Sequence, residues 1–400
     1  MEILKRWAPP IGIGLLALFL AYVLFAAPSQ AADLGGDCCA DLEERIAELE
    51  ATTARKGNRK VRVEVAGQIN TALLYTDTEG YSNTTVQQNG NEESYVGFYV
   101  AARINGDLTA GATLEIDARD LGVLGLPVGG LDTSIRQQNV WIKSETLGKL
   151  TVGRAAQATK NFDEIRTDNG AVANKAFSLG ALSDAYLTGI DIPIDGQFRD
   201  VVRYDSPNLL GIDGLKLVAT WANSFDATKA DGDGDTYDVA LRYSGETGDF
   251  KVKGGLGYRS GTDYDVNLLN ITSLSIPTGD VKTWMAAASV MHVGTGLFLN
   301  ANYADQDWET AGLTLKGTAL SGGIERKWFS VGATTLYAEW SRLTLDDGGS
   351  EGDLNTYGVG VVQALDAAAM DVYFSYRLMD LEDFGADDIT AVTAGARIMF

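Results

Sequence analysis

Few residues in this chain are of a type that does covalent chemistry, and their spacing does not bring them together. Among 400 residues there is one histidine, His292, and 2 cysteines, Cys38 and Cys39. Acyl transfer needs a base beside a nucleophile, and His292 falls at the end of an alternating segment with no serine motif nearby. That speaks against a lipase-type or protease-type centre. Two adjacent cysteines without histidine or further cysteine do not make a zinc site. In an oxidising compartment such a pair links subunits or another protein, or stays reduced and incidental; the sequence leaves both open. The run DGDGD at Asp231–Asp235 resembles a calcium loop only superficially. Thr236 stands where such a loop needs glycine, and Arg242 where it needs glutamate. The sequence implies no metal site and no cofactor.

What remains is electrostatic chemistry. The formal net charge is −22, which argues against nucleic acid as a partner. The acids gather between the alternating segments, as in Asp305/Asp307/Glu309, Asp346/Asp347/Glu351/Asp353 and Asp380/Glu382/Asp383. The plain reading is solvated loop tips. The sharper one is a set of carboxylates that share divalent cations with lipopolysaccharide.

The elements that position these charges are strands. In KVRVEVAGQINTALLY, Lys60 to Tyr75, the residues Val61, Val63, Val65, Ile69, Leu73 and Tyr75 fall on one face, and Arg62, Glu64, Gln68 and Asn70 on the other, a period of two. The pattern recurs to Phe400 about 16 times in segments of about 9 to 12 residues, the length a tilted strand needs to cross a bilayer. Short connections (Asn105–Asp107, Leu147–Gly148, Ser244–Gly248, Gly294–Thr295) alternate with long ones, among them Asp77–Glu92, Asp120–Thr133, Ala304–Leu313 and Leu343–Leu354. Short turns on one rim and long loops on the other mark a transmembrane barrel. The faces agree: Val96/Phe98/Val100, Leu114/Ile116 and Val372/Phe374/Tyr376 are bulky, while the opposite faces carry Glu115, Asp117, Arg242, Glu339, Asp371, Arg377 and Arg397. Bulky rings such as Tyr75, Tyr243, Tyr258, Tyr303 and Trp340 fall at strand ends, where interfacial girdles belong. No helix pattern interrupts the strands, as it would in a soluble protein of this length. The expected fold is all-β: a closed antiparallel transmembrane β-barrel of about 16 strands with a water-filled lumen.

Residues 1–31 read as a signal peptide: Lys5 and Arg6, an apolar run from Ile11 to Phe25, then small residues Ser29 and Ala31 at the cleavage positions. Residues 32–59 hold Leu42, Ile46 and Leu49 at helical spacing among charges. This is either a coiled-coil seed or an amphipathic helix that frays on its own. Residues 60–400 form the barrel domain.

Four stretches in order, ARINGDLTAGATLEID (Ala102–Asp117), NVWIKSETLGKLTVGR (Asn139–Arg154), RYDSPNLLGIDGLKL (Arg203–Leu217) and the terminal AGARIMF (Ala394–Phe400), resemble the Gram-negative general porins, particularly the alphaproteobacterial, rhizobial type. The resemblance implies an outer-membrane homotrimer, in contact with lipid and lipopolysaccharide, that passes small hydrophilic solutes and ions by passive diffusion. It implies that the loop between the fifth and sixth strands, Ala155 to Phe198, folds into the lumen and sets the acids Asp163, Glu164, Asp168 and Asp184 opposite wall arginines. Arg154 matches the family's Gly-Arg arginine; strand parity adds Arg62, Arg103 and Arg203. One departure is Tyr95, which precedes Val96-Gly97-Phe98 where several relatives carry a wall arginine, so the basic cluster is thinner here or shifted to Arg103. The acidic loops imply a weak cation preference. The rival readings are a substrate-selective channel and a structural or adhesive barrel with a closed pore.

Overall fold

The structure is a computed structural model. It describes residues 61–117, 135–177, 194–223, 235–264, 279–310, 312–381, 383 and 387–400. The signal peptide and the short helix expected over 32–59 lie outside the described residues, as does Asp184.

Seventeen strands form one antiparallel sheet. They are β1 (Val61–Thr78), β2 (Tyr81–Gln88), β3 (Tyr95–Arg103), β4 (Leu108–Asp117), β5 (Ile135–Ser144), β6 (Gly148–Ala156), β7 (Phe198–Asp205), β8 (Leu215–Asn223) and β9 (Asp235–Thr247). Then follow β10 (Phe250–Tyr264), β11 (Gly279–His292), β12 (Leu297–Trp308), β13 (Leu313–Phe329), β14 (Gly332–Asp346), β15 (Glu351–Leu365), β16 (Met370–Asp380) and β17 (Ile389–Met399). Apart from β2 and β3, each strand pairs with the next in sequence, and β17 pairs with β1 to close the barrel, Asn70 opposite Arg397 and Leu73 opposite Ala394. The last residue completes the seam: Phe400 and Gly67 exchange both backbone hydrogen bonds, at 2.9 and 3.1 Å.

The barrel wall has 16 staves because β2 and β3 share one. The lower half of β1 pairs with β3, from Val61 opposite Ala102 to Gln68 opposite Tyr95. The upper half pairs with β2, from Thr71 opposite Gln88 to Thr78 opposite Tyr81. The sequence pattern placed a loop over Asp77–Glu92, and the structure corrects this: the segment turns at Glu79 and Gly80 and returns as β2. Its SNTTVQQ stretch is polar on both faces, so alternation did not mark it. Two further expected loops also shrink. β12 runs on to Trp308 and β14 to Asp346, leaving only 309–312 and 347–350 between strands. Above the hydrocarbon band both faces of a strand meet water, so the apolar alternation ends before the strand does.

The faces follow the parity read from the sequence. Ile69, Val140, Leu256, Leu299 and Val359 are exposed on the outer face, where a membrane protein meets acyl chains. Asn70, Arg259, Gln306, Asp371 and Arg397 are buried within the barrel. The inner face therefore holds the polar side chains, the reverse of a soluble sandwich.

A charge set on the outer face is expected to be costly in a way that a charge on the inner face is not. Val359→Arg, at an outward position of β15, should lower unfolding stability in bilayers by about 2–4 kcal/mol. Ser341→Arg, inward on β14, should cost much less. Denaturant titration of the two variants in the same vesicles checks this, and equal losses would contradict the assignment of faces.

Candidate functional site

The segment from Gln157 to Gln197 leaves the top of β6 and enters the lumen before rejoining β7. Its two ends are clasped together by Gln157 N donating to Gln197 O at 3.0 Å. Its described part, 157–177 and 194–197, then follows the inner wall. Thr159 donates to Asp238 Oδ2 on β9, from its amide at 2.7 Å and its hydroxyl at 2.9 Å. Arg242 of β9 donates to Ala158 O at 3.0 Å. Phe162 and Ile165 lie on β10 where that strand has only glycines: a Cβ on Gly255 would stand 2.7 Å from Ile165 Cδ1, and one on Gly257 2.8 Å from the Phe162 ring. Further round, the Thr167 amide donates to Ser289 of β11 at 2.8 Å. The Asn169 amide donates to Glu325 of β13 at 2.9 Å, and its side-chain nitrogen to Asp371 of β16 at 2.8 Å. Past β2, Asn89 and Asn91 donate to Val172 O and Ala173 O at 3.0 and 2.7 Å. The loop thus lines the wall from β8 round to the seam.

Three of the four predicted loop acids are described, and each has a different role. Asp168 is wholly buried and faces Arg166, with contacts of 3.2 and 2.8 Å to Nε and NH2. It also accepts from Asn300 Nδ2 on β12 at 2.7 Å and from the Gly170 amide at 2.8 Å. A carboxylate so fully engaged fastens the loop to the wall. Glu164 is paired with Lys175 within the loop. Asp163 has one oxygen sealed from solvent with no hydrogen-bond partner. Burial pushes its carboxyl up to about 8, and the neighbouring Asp195 adds to this, while Lys175 opposes it. At neutral pH Asp163 therefore carries a proton, and the charge in this part of the loop comes from its neighbours.

The predicted wall arginines do not gather opposite those acids. Arg62, on the lower end of β1, is exposed and pairs with Glu64 at 3.0 Å. Arg103 closes the turn below β3, donating to Asn105 O and Gly106 O at 3.0 and 3.2 Å. Arg154 shares its face of β6 with the exposed Leu150 and Val152 and donates to Ile135 O at 2.6 Å. Only Arg203 stands near the root of the loop: it grips Asp205 at 2.9 and 2.7 Å and donates to Ala156 O at 2.8 Å. No ion pair joins these four to Asp163, Glu164 or Asp168 among the described residues.

The basic groups that do meet the loop lie elsewhere. Arg377 donates to Lys175 O at 3.0 Å and to Glu339 at 2.7 Å. Arg397 is held by Asp371 at 2.6 Å and also contacts Glu92 at 3.7 Å. Parity puts Arg242, Arg377 and Arg397 on the inner face, but it does not reveal how far round the wall the loop travels. Elsewhere on the wall, Arg136 stands between the rings of Tyr95 and Phe198, 4.7 Å from each centroid. It pairs with Glu93 at 2.5 Å and Glu115 at 3.2 Å. Strict alternation puts Arg136 outward with Gln138. A bulge between β4 and β5, where Glu115 faces Gln137 but Ile116 faces Ile135, turns it inward. Lys160 of the loop lies over the other neighbour of this group, the Phe198 ring, at 4.9 Å. Acid and base therefore do converge on one opening, through residues that the sequence did not single out.

The raised Asp163 value sets a direction for pH. Its folded value of about 8 lies above the ordinary 3.8, so between those values the folded state holds a proton that the unfolded chain has lost. Stability should fall as pH rises from about 4 to about 8, then level off. Lumen charge should become more negative as pH passes 8. Asp163→Asn should flatten both, in denaturant midpoints and in reversal potentials across a salt gradient; an unchanged pH profile in that variant would count against the buried proton.

With this geometry in place, similarity to known proteins can be stated. A family model described as Gram-negative porin matches residues 17–383. No curated protein sequence matches the chain. Among solved structures, an anion-selective porin from Comamonas acidovorans superposes with a TM-score of 0.59 at 14% identity, covering 85% of this chain and 100% of that one. OmpT lacking loop L8, an outer membrane protein of Vibrio cholerae, superposes at 0.57 and 20% identity over 85% and 100%. Salmonella typhi OmpF, in complex with daunomycin, superposes at 0.56 and 16% identity over 86% and 99%. At these identities the structures establish the fold.

Proposed function

We propose, because the chain belongs to the Gram-negative porin family and is an outer-membrane channel, that small hydrophilic solutes and ions diffuse passively through the passage between the inward loop and the β3–β5 wall. The observation that carries this is the seating of the loop's described part, 157–177 and 194–197, which hydrogen-bonds the wall from β8 to the seam. Arg136, Glu93, Glu115 and Lys160 border that passage with both signs of charge. Opposed charges at a narrow point orient water and polar solutes and penalise apolar ones. Of the residues proposed from the sequence, Glu164 contributes to the acidic side and Arg203 to the basic side, while Asp163 stays protonated at neutral pH.

A non-catalytic reading is supported by the setting of His292. Its Nδ1 lies 2.8 Å from the Thr295 hydroxyl in the tight turn below β11 and also accepts the Thr295 amide at 3.2 Å. Such a pattern closes a turn on the rim.

Assembly as a homotrimer is supported by the outer face of β3–β6. The described stretches of these strands have 9 or 10 residues, against 12 to 17 in β9–β15, so the described wall is low there. Apart from Gln138 and Arg154, its exposed outward residues are aliphatic or Phe98, among them Val140, Ile142, Leu150 and Val152. The exposed tyrosines and tryptophans, such as Trp221, Tyr237, Trp284, Trp328 and Tyr357, lie on the other strands. Rings of that kind anchor a surface at the lipid–water boundary; a low, ring-poor face suits a protein neighbour. A trimer form is known for Vibrio cholerae OmpT, a structure of 19% identity and TM-score 0.56.

Reconstitution of the purified chain in a planar bilayer tests the reading. Discrete conductance steps are expected, in groups of three if the trimer inserts as a unit, and native mass spectrometry should give a three-chain species. A bilayer that stays silent after verified insertion would refute the open channel.

A further inference from the structure

The lower lumen beside β5–β8 holds a recess of about 470 Å³ that the loop does not fill. It opens near the short-turn rim, on the side where β1 begins and β17 ends. Four cations line it, Lys143, Lys149, Arg203 and Lys216, against two carboxylates, Glu145 and Asp205. Both carboxylates are already engaged. Glu145 pairs with Lys143 at 3.0 Å, and Arg203 takes both oxygens of Asp205 at 2.9 and 2.7 Å. That leaves Lys149 and Lys216 without an ion pair among the described residues.

The ladder makes this excess of positive charge costly. Lys149 stands directly opposite Lys143, and Lys216 directly opposite Arg242. Like charges facing each other across an antiparallel pair destabilise it. Lys149 is also half-buried, with its ammonium 4.9 Å from the centre of the Trp141 ring, so it is partly withdrawn from water and held in place. The location differs from that of the acids in the upper loops, so the two charge sets do not cancel.

We propose that this recess is a subsite for small multivalent oxyanions, of the phosphate or polycarboxylate class, at the inner end of the channel. The proposal rests on the channel reading and adds a ligand class and two residues to it. Lys149 and Lys216 supply the uncommitted ammonium groups, and an anion between the strands relieves both like-charge pairs. A metal cation is repelled by the same groups. A monovalent anion satisfies only one of them. The subsite gives an anionic solute a stopping place once it is past the acidic mouth, so the channel favours opposite signs of charge at its two ends.

Single-channel recording on the purified full chain tests this, with inorganic phosphate or citrate added to each side in turn over a potassium chloride background. Brief interruptions are expected whose frequency rises with anion concentration and is greater from the short-turn side. Higher ionic strength should shorten them, because screening weakens the attraction. In Lys149→Gln/Lys216→Gln the interruptions should be about tenfold shorter, the loss expected for about one charge-assisted contact. Lys149→Arg should retain them, and Lys327→Gln, at the rim where Lys327 pairs with Asp366, should leave them unchanged. If the double variant inserts poorly, Lys216→Gln alone, at an exposed position, should still shorten them. Interruptions of equal length in wild type and in both lysine variants would overturn the subsite. So would a channel that conducts normally and shows no anion-dependent interruption, and this would leave the channel reading standing. Absence of conductance would instead overturn the channel reading.

Discussion

Closure of the sheet is the constraint on which the rest depends. Inside a bilayer there is no water to satisfy a free backbone amide or carbonyl, so a strand wall with an open edge is not viable. Here the last edge is removed by pairing β17 with β1, and the pairing is carried to the final residue by the double bond between Phe400 and Gly67. Once the sheet is closed, the two faces of every strand acquire fixed and opposite surroundings. Parity along the chain then becomes equivalent to location, with Val140 and Val359 on the outer surface and Asn70 and Asp371 toward the lumen.

A closed barrel of 16 staves encloses more space than its own side chains fill, and the inward loop takes up part of it. The loop is held both by hydrogen bonds to polar groups of the inner wall and by apolar contacts, Phe162, Ile165 and Ile194 clustering with Met285 and Leu315, and Val172 with Met291 and Phe298. Charges buried in pairs stand on both sides of the contact, Arg166 with Asp168 in the loop and Arg397 with Asp371 on the wall, and are tied across it by Asn300 to Asp168 and Asn169 to Asp371. Such pairs add little net stability over apolar contacts, but removal of one partner leaves the other charge stranded. They therefore define one seating of the loop. Among the apolar contacts, Phe162 and Ile165 meet β10, where the absence of side chains at Gly255 and Gly257 admits two bulky groups against the wall. That contact fixes the depth of the loop, while the ionic contacts fix its course round the barrel.

The fold was legible in the sequence because a transmembrane strand states its two faces residue by residue. The stave count, the alternation of turns and loops and the closing strand all follow from that. The constriction was much less legible, for identifiable reasons. Arg154 sits in a family motif, yet it shares its face with Leu150 and Val152, so motif and parity disagree at that position. Arg136 reaches the lumen only because a bulge shifts the register by one residue, and a bulge leaves no mark in a period-two pattern. Asp168 looked like one of several acids on a loop; its role depends on Arg166 two residues away and Asn300 far along the chain. Arg377 and Arg397 were placed on the correct face, but their loop contacts are set by the path of the loop, which no local pattern encodes.

The distribution of charge along the axis explains how a chain of net charge −22 can still present a basic surface to a solute. Net charge is dominated by groups at the upper rim and on the loops, where water and salt screen them over about 8–10 Å. Within the lumen the relevant charges are few and close, and a solute passes them one group at a time. At the loop the carboxylates are partly cancelled, by Lys175 on Glu164 and by a proton on Asp163. Below it the balance reverses, because the acids Glu145 and Asp205 are each committed to a neighbouring cation while Lys149 and Lys216 are not. A permeating ion therefore meets a sequence of local fields whose sign is set by which side chains remain uncommitted, and the formal charge of the chain is a poor guide to it.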